Sequence, residues 1–334
     1  MHKLLTFICC VMLTSTVFAG PVSVHGDLQL LDKGGEYGVT LCDQHGKPIQ
    51  LRGFSQLDIA QPDTEWVPGK TIPNIVALSG SNAVRIAMYT STGGKGYMDQ
   101  NAAGKTAYRN KVKVLIADAI AADIYVLVDW HILNDKAPWS EEYRREARIF
   151  FEDIAQTYGD KDNLLFELAN EPLQVSFKYT IKPFAEHVLA GIRKHSDNIA
   201  TVGTPNWSQH VDTVVGNQLS ENLGRGVMYN IHFYAGTHGR DLRERANKAR
   251  AKGVPLIISE FGTVDASGDG RPDLKSSRVW INWARIHNYS WFNWSLSIRK
   301  ETSAAIANGD LAGPWKKSDF SRSGKWILKR LSEK

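Results

Sequence analysis

The chain has 334 residues, a formal net charge of +5, 43% hydrophobic residues and ten tryptophans. Its basic residues are dispersed rather than massed, which excludes the charge footprint of a nucleic-acid-binding protein, and no apolar run reaches the roughly 20 residues needed to span a bilayer. Two of the three cysteines, Cys9 and Cys10, fall within the first nineteen residues, so a processed chain keeps only Cys42 and draws its stability from burial rather than from a disulfide.

In chain order, His2 and Lys3, an apolar stretch from Leu4 to Leu13 and Val17-Phe18-Ala19 read as an export leader covering 1–19. No repeat, linker or low-complexity run divides the remaining 20–334, so a single domain is expected. Gly38-Val39-Thr40-Leu41 and Ile49-Gln50-Leu51 flank the turn-rich Asp43-Gln44-His45-Gly46-Lys47 and predict a β-hairpin lid. Continuous apolar runs at 49–55, 83–89, 124–130, 164–170, 199–203, 227–233, 256–260 and 290–294 predict eight strands. Amphipathic stretches at 107–122, 141–158, 181–195, 240–252 and 278–287 predict helices between them. Apolar strands that alternate with helices are parallel strands covered on both faces, and eight of them imply a (β/α)8 TIM barrel, an α/β fold. An open doubly wound sheet lacks its mark here, a Gly-x-Gly-x-x-Gly turn after the first strand.

Most of these strands end in polar or aromatic residues that an ordinary core does not need: Arg85 and Tyr89, Trp130 and His131, Asn170 and Glu171, His232 and Tyr234, Glu260, and Trp294, with Trp207 beyond the fifth strand. In a barrel such positions converge on the C-terminal mouth, where active sites are built. Glu171 and Glu260 stand out because each closes a buried apolar run, a costly place for a carboxylate without a task. Two carboxyls facing each other across a sugar-sized gap divide labour, one protonated as general acid and one ionised as nucleophile. Glu171 is expected as acid/base, with the Asn170 amide on a sugar 2-hydroxyl, and Glu260 as nucleophile, kept ionised by Arg85. His232 and Tyr234 are expected to hydrogen-bond this pair, His131 to bind sugar hydroxyls, and Trp294 to serve as a stacking platform. Trp207, in a polar loop, fits a platform and a packing role equally.

The segments Leu51-Arg52-Gly53-Phe54-Ser55, Val84-Arg85-Ile86-Ala87-Met88-Tyr89, Val128-Asp129-Trp130-His131-Ile132-Leu133, Asn170-Glu171-Pro172, His232-Phe233-Tyr234-Ala235-Gly236-Thr237-His238, Ser259-Glu260-Phe261-Gly262 and Trp294-Ser295-Leu296-Ser297 resemble, in order, those of glycoside hydrolase family 5, and specifically its bacterial-type endoglucanases. The resemblance covers nearly the whole processed chain. It implies a retaining endo-β-1,4-glucanase, a cellulase, with Arg85, His131, Asn170, His232, Tyr234 and Trp294 around the cleaved bond. It further implies Tyr97 and Trp207 as subsite aromatics and Glu301 as a ligand for a sugar hydroxyl. Two segments depart from the pattern. Where these enzymes carry Ser-Thr-His-Gly-Leu-Gln-Trp the chain reads Ser55-Gln56-Leu57-Asp58-Ile59-Ala60-Gln61, and a usual Ser-Asp-Lys is Ser297-Ile298-Arg299, whose planar fork does not replace a lysine. Mannan, xylan and mixed-linkage glucan therefore stand beside cellulose-type glucan as substrates.

Rival readings are a carbohydrate-binding barrel without catalysis and a metal hydrolase using His131, His232 and His238; the latter lacks the short ligand spacings of metal sites. The loop from Asp265 to Asp273 resembles a calcium loop, but Ser276 occupies the twelfth position, where such loops carry Glu. The expected protein is a secreted monomer with a β-glucan polysaccharide substrate, no metal, no cofactor, no nucleic-acid partner and no membrane association after leader removal. Without an appended binding module it is expected to grip crystalline cellulose poorly.

Overall fold

The computed structural model describes residues 19–220 and 225–333. All but the last residue of the expected leader, Cys9 and Cys10 included, lies outside the described residues. The described chain begins with a short helix, α1 (Pro21–His25), and an antiparallel pair, β1 (Gln29–Asp32) and β2 (Val39–Cys42). There follow β3 (Arg52–Ser55), α2 (Thr71–Ser79), β4 (Ala83–Tyr89), α3 (Ala102–Ala121), β5 (Tyr125–His131), α4 (Glu141–Tyr158), β6 (Leu164–Glu167), α5 (Lys182–Ile192), β7 (Ala200–Val202) and the one-turn α6 (Pro205–Ser208). The chain ends with β8 (Val227–Tyr234), α7 (Arg240–Arg250), β9 (Leu256–Gly262), α8 (Leu274–Ile286), β10 (Trp291–Trp294) and α9 (Arg322–Leu331). Strands β3 to β10 pair in parallel in sequence order, and the barrel closes where β10 meets β3, Trp291 opposite Arg52 and Trp294 opposite Ser55.

Each predicted strand and helix is present, with ends that coincide or shift by a few residues in either direction. Of the four α-helices that the described residues add to the predicted set, α1 and α6 are single short turns, and α2 and α9 complete the outer layer. The apolar residues of α4 show how that layer is held: Ala147, Phe150, Phe151, Ile154 and Ala155 recur at helical spacing and are buried, while Ser140 caps the first turn by accepting from the Tyr143 N–H. Among the described residues no helix is long and apolar enough to cross a membrane.

The N-terminal hairpin differs from the expected lid. Residues Val39–Cys42 take Gln29–Asp32 as their main partner, across a turn that Gly34 and Gly35 make at positive φ (63° and 51°), and the 49–51 side contributes little beyond a bridge between Cys42 and Pro48. Leu41 and Ile49 pack with Leu51, Tyr125, Leu127, Met228 and Phe292 at the N-terminal ends of the barrel strands. The Tyr125 hydroxyl donates to the Gly26 carbonyl at 2.7 Å. The sheet therefore plugs the barrel floor, opposite the mouth.

Strand periodicity sets the site above that floor. Along β5, Val126, Val128 and Trp130 join the layer under the helices, whereas Tyr125 and Leu127 fill the floor and Asp129 and His131 continue the inward face upward. The inward series of β4, β5, β6 and β8 changes in this way from apolar to polar, reaching the fully buried Arg85, Asp129, Glu167 and Asn230. The barrel is tight where β3 meets β4, since a Cβ on Gly53 would lie 1.8 Å from the Ala83 carbonyl oxygen. One irregularity matters for the site. Asn230 pairs with Ile257 but His232 with Glu260, so β9 carries one extra residue against β8. This bulge turns both Ser259 and Glu260 inward, where they bond to His232 and Arg85 respectively.

Candidate active site

Arg85 is the hub of the mouth. Its Nε donates to Glu167 Oε2 at 2.7 Å, one terminal nitrogen to Glu260 Oε2 and Ser55 Oγ at 3.1 Å each, and the other to Asp129 Oδ2 at 2.9 Å and Asn170 Oδ1 at 2.8 Å. Burial alone would lower the pKa of this guanidinium, but Asp129, Glu167 and Glu260 more than offset it and hold the group charged. Asn230 donates to the other oxygen of Glu167 at 2.6 Å, so both oxygens of that acid are fixed.

One oxygen each of Glu171 and Glu260 and one His232 nitrogen lie within 4.8 Å of one another. Glu260 accepts from Arg85 on Oε2 and from the Tyr234 hydroxyl on Oε1 at 2.7 Å. Among the described residues the Glu171 carboxyl has His232 as its hydrogen-bond partner, with Nδ1 2.8 Å from Oε1, while His232 Nε2 lies 2.8 Å from Ser259 Oγ. Burial pushes Glu171 up to about 7, with nearby Glu167 adding to the rise and Arg85 opposing it. Burial also raises Glu260, and the neighbouring Glu171 raises it further. Two donors on Glu260 against one on Glu171 decide which carboxyl of the coupled pair ionises first: Glu260.

His131 Nδ1 lies 2.6 Å from Asp129 Oδ2, which places the ring proton there and leaves Nε2 to accept from the Asn170 amide at 3.2 Å. Burial, aided by Arg85, drives its pKa far below the usual histidine value, so the ring is neutral. The ring is sandwiched between Tyr89, at 4.1 Å between centroids, and Trp294, at 5.3 Å and 11°. With both nitrogens engaged, His131 offers its ring rather than a free polar tip to the cavity. Asn170 is fully buried and directs its amide hydrogens to His131 and the Ile132 carbonyl, so here it orients neighbours instead of presenting an amide to the cavity.

The cavity over these groups measures about 600 Å³, with Trp294, Glu171, Glu260, Trp207 and Glu301 in its walls. Trp207 is 37% exposed and sits in three consecutive residues of positive φ, Asn206, Trp207 and Ser208. That left-handed turn is costly for residues other than glycine and is held by Ser208 Oγ donating to the Asn170 carbonyl at 2.7 Å. Glu301 accepts from Ser303 Oγ at 2.7 Å and pairs with Arg299 at 3.4 Å. Arg299 itself lies outside this cavity, beside a separate depression with Gln61, Asp63 and Lys300.

Tyr97 is a correction. Its ring is fully buried against Trp130, Phe150 and Tyr108, and its hydroxyl accepts from Arg109 at 2.9 Å, so it supports the barrel wall instead of a sugar. The physical reason is that the chain turns inward after Gly96, which has no room for a side chain: a Cβ there would lie 2.5 Å from Ser91 Cα. Among the described residues, the ligand-type atoms that come together are those of His232, Glu171 and Glu260 instead of the three histidines of the metal reading, and His238 Nδ1 accepts from the Tyr234 backbone N–H at 2.8 Å. In the loop after β9, Asp269 accepts from Thr302 N and Oγ1 at 3.0 Å, which ties this loop to the segment bearing Glu301.

Asp129, Glu167, Asn230 and Ser259 are site residues absent from the sequence-based set. A charge within an otherwise apolar strand is the signal that marks the first two. In the departing segment, Leu57 packs on Ala87 and Trp294, and burial pushes the Asp58 carboxyl up to about 6. Gly262 is needed for a visible reason: a Cβ there would lie 2.3 Å from the Tyr234 ring. Gly262→Ala is accordingly expected to displace Tyr234 from Glu260 and lower kcat by roughly tenfold or more, since a misplacement near 1 Å costs about that much or more. Unchanged kcat in steady-state assays would show that the Tyr234 ring has another place to go.

Comparisons with known proteins agree with this geometry. The family described as Cellulase (glycosyl hydrolase family 5) matches residues 42–300. An endoglucanase of Clostridium saccharobutylicum is 36% identical over 335 aligned positions, covering 98% of this chain and 72% of that protein. Endoglucanase 5 of Pectobacterium carotovorum subsp. carotovorum is 38% identical, over 95% of this chain and 60% of its own length. The crystal structure of the catalytic domain of Thermobifida fusca endoglucanase Cel5A in complex with cellotetraose superposes with a TM-score of 0.82 at 29% identity, covering 94% of this chain and 100% of that one. With the barrel, the paired glutamates and the Arg85 hub in place, the chain belongs to glycosyl hydrolase family 5 and is a glycoside hydrolase of its endoglucanase group.

Proposed function

We propose that the chain is a retaining endo-β-1,4-glucanase in which Glu260 is the nucleophile and Glu171 the acid/base. Glu260 attacks the anomeric carbon, the bond to the leaving oxygen breaks, and Glu171 passes its proton to that oxygen. Water then attacks the glycosyl-enzyme, Glu171 takes the water proton, and Glu260 is released. The observation that carries this reading is the approach of the two carboxyls, oxygens within 4.8 Å. Retaining enzymes hold their pair about 5–5.5 Å apart, whereas inverting ones leave roughly 6.5–9.5 Å for a water. The family supplies β-1,4-glucan as the substrate class, in line with relatives named endoglucanase and a structural neighbour that binds cellotetraose. Trp294 and Trp207 supply flat apolar faces in the cavity wall for glucose rings. The leader read at 1–19 supports export, and one chain carries all the residues named, so a monomer suffices.

A second preference on the glycone side is favoured by one feature: apolar Leu57 against Trp294 where the endoglucanase pattern has a histidine. Reducing-sugar release from carboxymethylcellulose, barley β-glucan, glucomannan, galactomannan and xylan tests both readings, with Glu171→Gln and Glu260→Gln as controls. The glucans are expected to be cut fastest. Faster cutting of mannan or xylan would overturn the substrate class, and no cutting at all would return the chain to a binding role.

A further inference from the structure

The extra residue in β9 puts two consecutive side chains into the site: Ser259, which keeps the inward phase of Ile257, and Glu260 next to it. The Ser259 hydroxyl is fully buried and, among the described residues, has His232 Nε2 at 2.8 Å as its hydrogen-bond partner. The far side of the same ring is 2.8 Å from Glu171 Oε1. We propose that Ser259 sets the tautomer of His232: its hydroxyl donates to Nε2, the ring proton resides on Nδ1 and points at Glu171 Oε1, and the transferable proton of Glu171 stays on its other carboxyl oxygen.

The alternative tautomer has a definite cost. Glu167 Oε1 lies 4.0 Å from His232 Nε2, and its negative charge attracts the ring proton to that nitrogen. With the proton on Nε2, Nδ1 would present a lone pair to Glu171, which could then meet it only by carrying its own proton on Oε1. That proton would be committed to the imidazole instead of to the leaving oxygen. A histidine takes its tautomer from the partner of its second nitrogen, and here that partner is a donor because, among the described residues, no other group accepts the Ser259 proton. The side chain thus acts through His232 on the acid, as a positioning residue, while the next residue in the strand is the nucleophile.

The other groups facing this pair come from every adjoining strand: Arg85 and Tyr89 on β4, Asp129 and His131 on β5, Glu167 on β6, Tyr234 on β8 and Glu260 on β9. Ser259→Ala leaves all of them in place, so a change in pH profile reports the tautomer. The inference rests on Glu171 being the general acid.

Two measurements test it. Nitrogen-15 NMR of histidine-labelled full chain is expected to show Nδ1 protonated in the parent protein and a shift of the proton to Nε2 in Ser259→Ala. In kinetics, Ser259→Ala is expected to lose roughly ten- to a hundredfold in kcat/KM on phenyl β-cellobioside, part of what general acid catalysis supplies. It should change little on 2,4-dinitrophenyl β-cellobioside, whose leaving group departs without a proton, and Ser259→Thr should restore both the tautomer and the rate. An unchanged Nδ1 proton in Ser259→Ala, or equal loss on both substrates, overturns the proposal. The acid assignment is checked apart from it: if Glu171→Gln shows no dependence on the leaving group, that assignment fails whatever the tautomer.

Discussion

Glu260→Gln is expected to abolish turnover on every glycoside, by at least about 10⁴-fold, because no other group stands ready to attack the anomeric carbon. Glu171→Gln is expected to behave differently. It removes proton donation but not attack, so cleavage of 2,4-dinitrophenyl β-cellobioside should continue to the glycosyl-enzyme and stall there, giving a burst of dinitrophenol followed by slow turnover. Azide, which attacks without needing a base, should relieve the stall and yield a β-glycosyl azide. A full-rate steady state in either variant, on cellulosic substrate, would remove that residue from the mechanism.

The same assignment fixes the sign of the pH dependence. Glu171 must be protonated in the free enzyme, and burial pushes its pKa up to about 7, so kcat/KM should decline as pH rises through that value. Glu171→Gln should lack this alkaline limb on the dinitrophenyl substrate. Stability follows from the same shift. A carboxyl whose folded pKa lies above its unfolded value adds stability below the unfolded value, and that contribution is lost as pH rises through the folded one. From 4.5 to about 7 the change is on the order of 3 kcal/mol. Glu171→Gln is therefore expected to melt at a higher temperature than the parent protein at pH 8 and to lose that advantage near pH 4.

How much of this was legible beforehand depends on distance along the chain. The barrel was, because parallel strands covered on both faces must be apolar throughout, and the runs at 83–89, 124–130 and 227–233 announce themselves as β4, β5 and β8. That Glu171 and Glu260 come together at the mouth was legible because a carboxyl at the end of such a run has no ordinary reason to be there. The pairing of β2 with Gln29–Asp32 was not, since a four-residue strand with half-buried side chains carries no distinctive period. Tyr97 was misplaced because the resemblance carries over a residue's place in the chain and not its burial, and the tight backbone approach at Gly96 sends the ring inward. Ser259 was not singled out because a small serine beside Glu260 carries no sign of its own, and that two consecutive residues both face inward depends on a bulge, a property of two neighbouring strands together.

Arg85 is where the largest stability effect is expected. Removing one partner of a buried ionic cluster leaves charges without compensation, at a cost of about 3–5 kcal/mol, and Arg85 compensates three carboxylates at once. Arg85→Ala should lower Tm by roughly 4–8 °C for a chain of this size. Arg85→Lys restores a charge but not the fork: one ammonium cannot serve Glu167, Glu260, Asp129 and Asn170 along three separate directions. It should therefore recover part of the stability and little of the activity. The pH profile separates the two roles. Without the guanidinium Glu260 ionises less readily, so the acidic limb of kcat/KM should move to higher pH in Arg85→Lys measured well below its melting point. A variant that melts within about 1 kcal/mol of the parent, or whose acidic limb stays in place, would mean that Asp129 and Glu167 already carry protons in the folded state and that Tyr234 alone sustains the charge on Glu260.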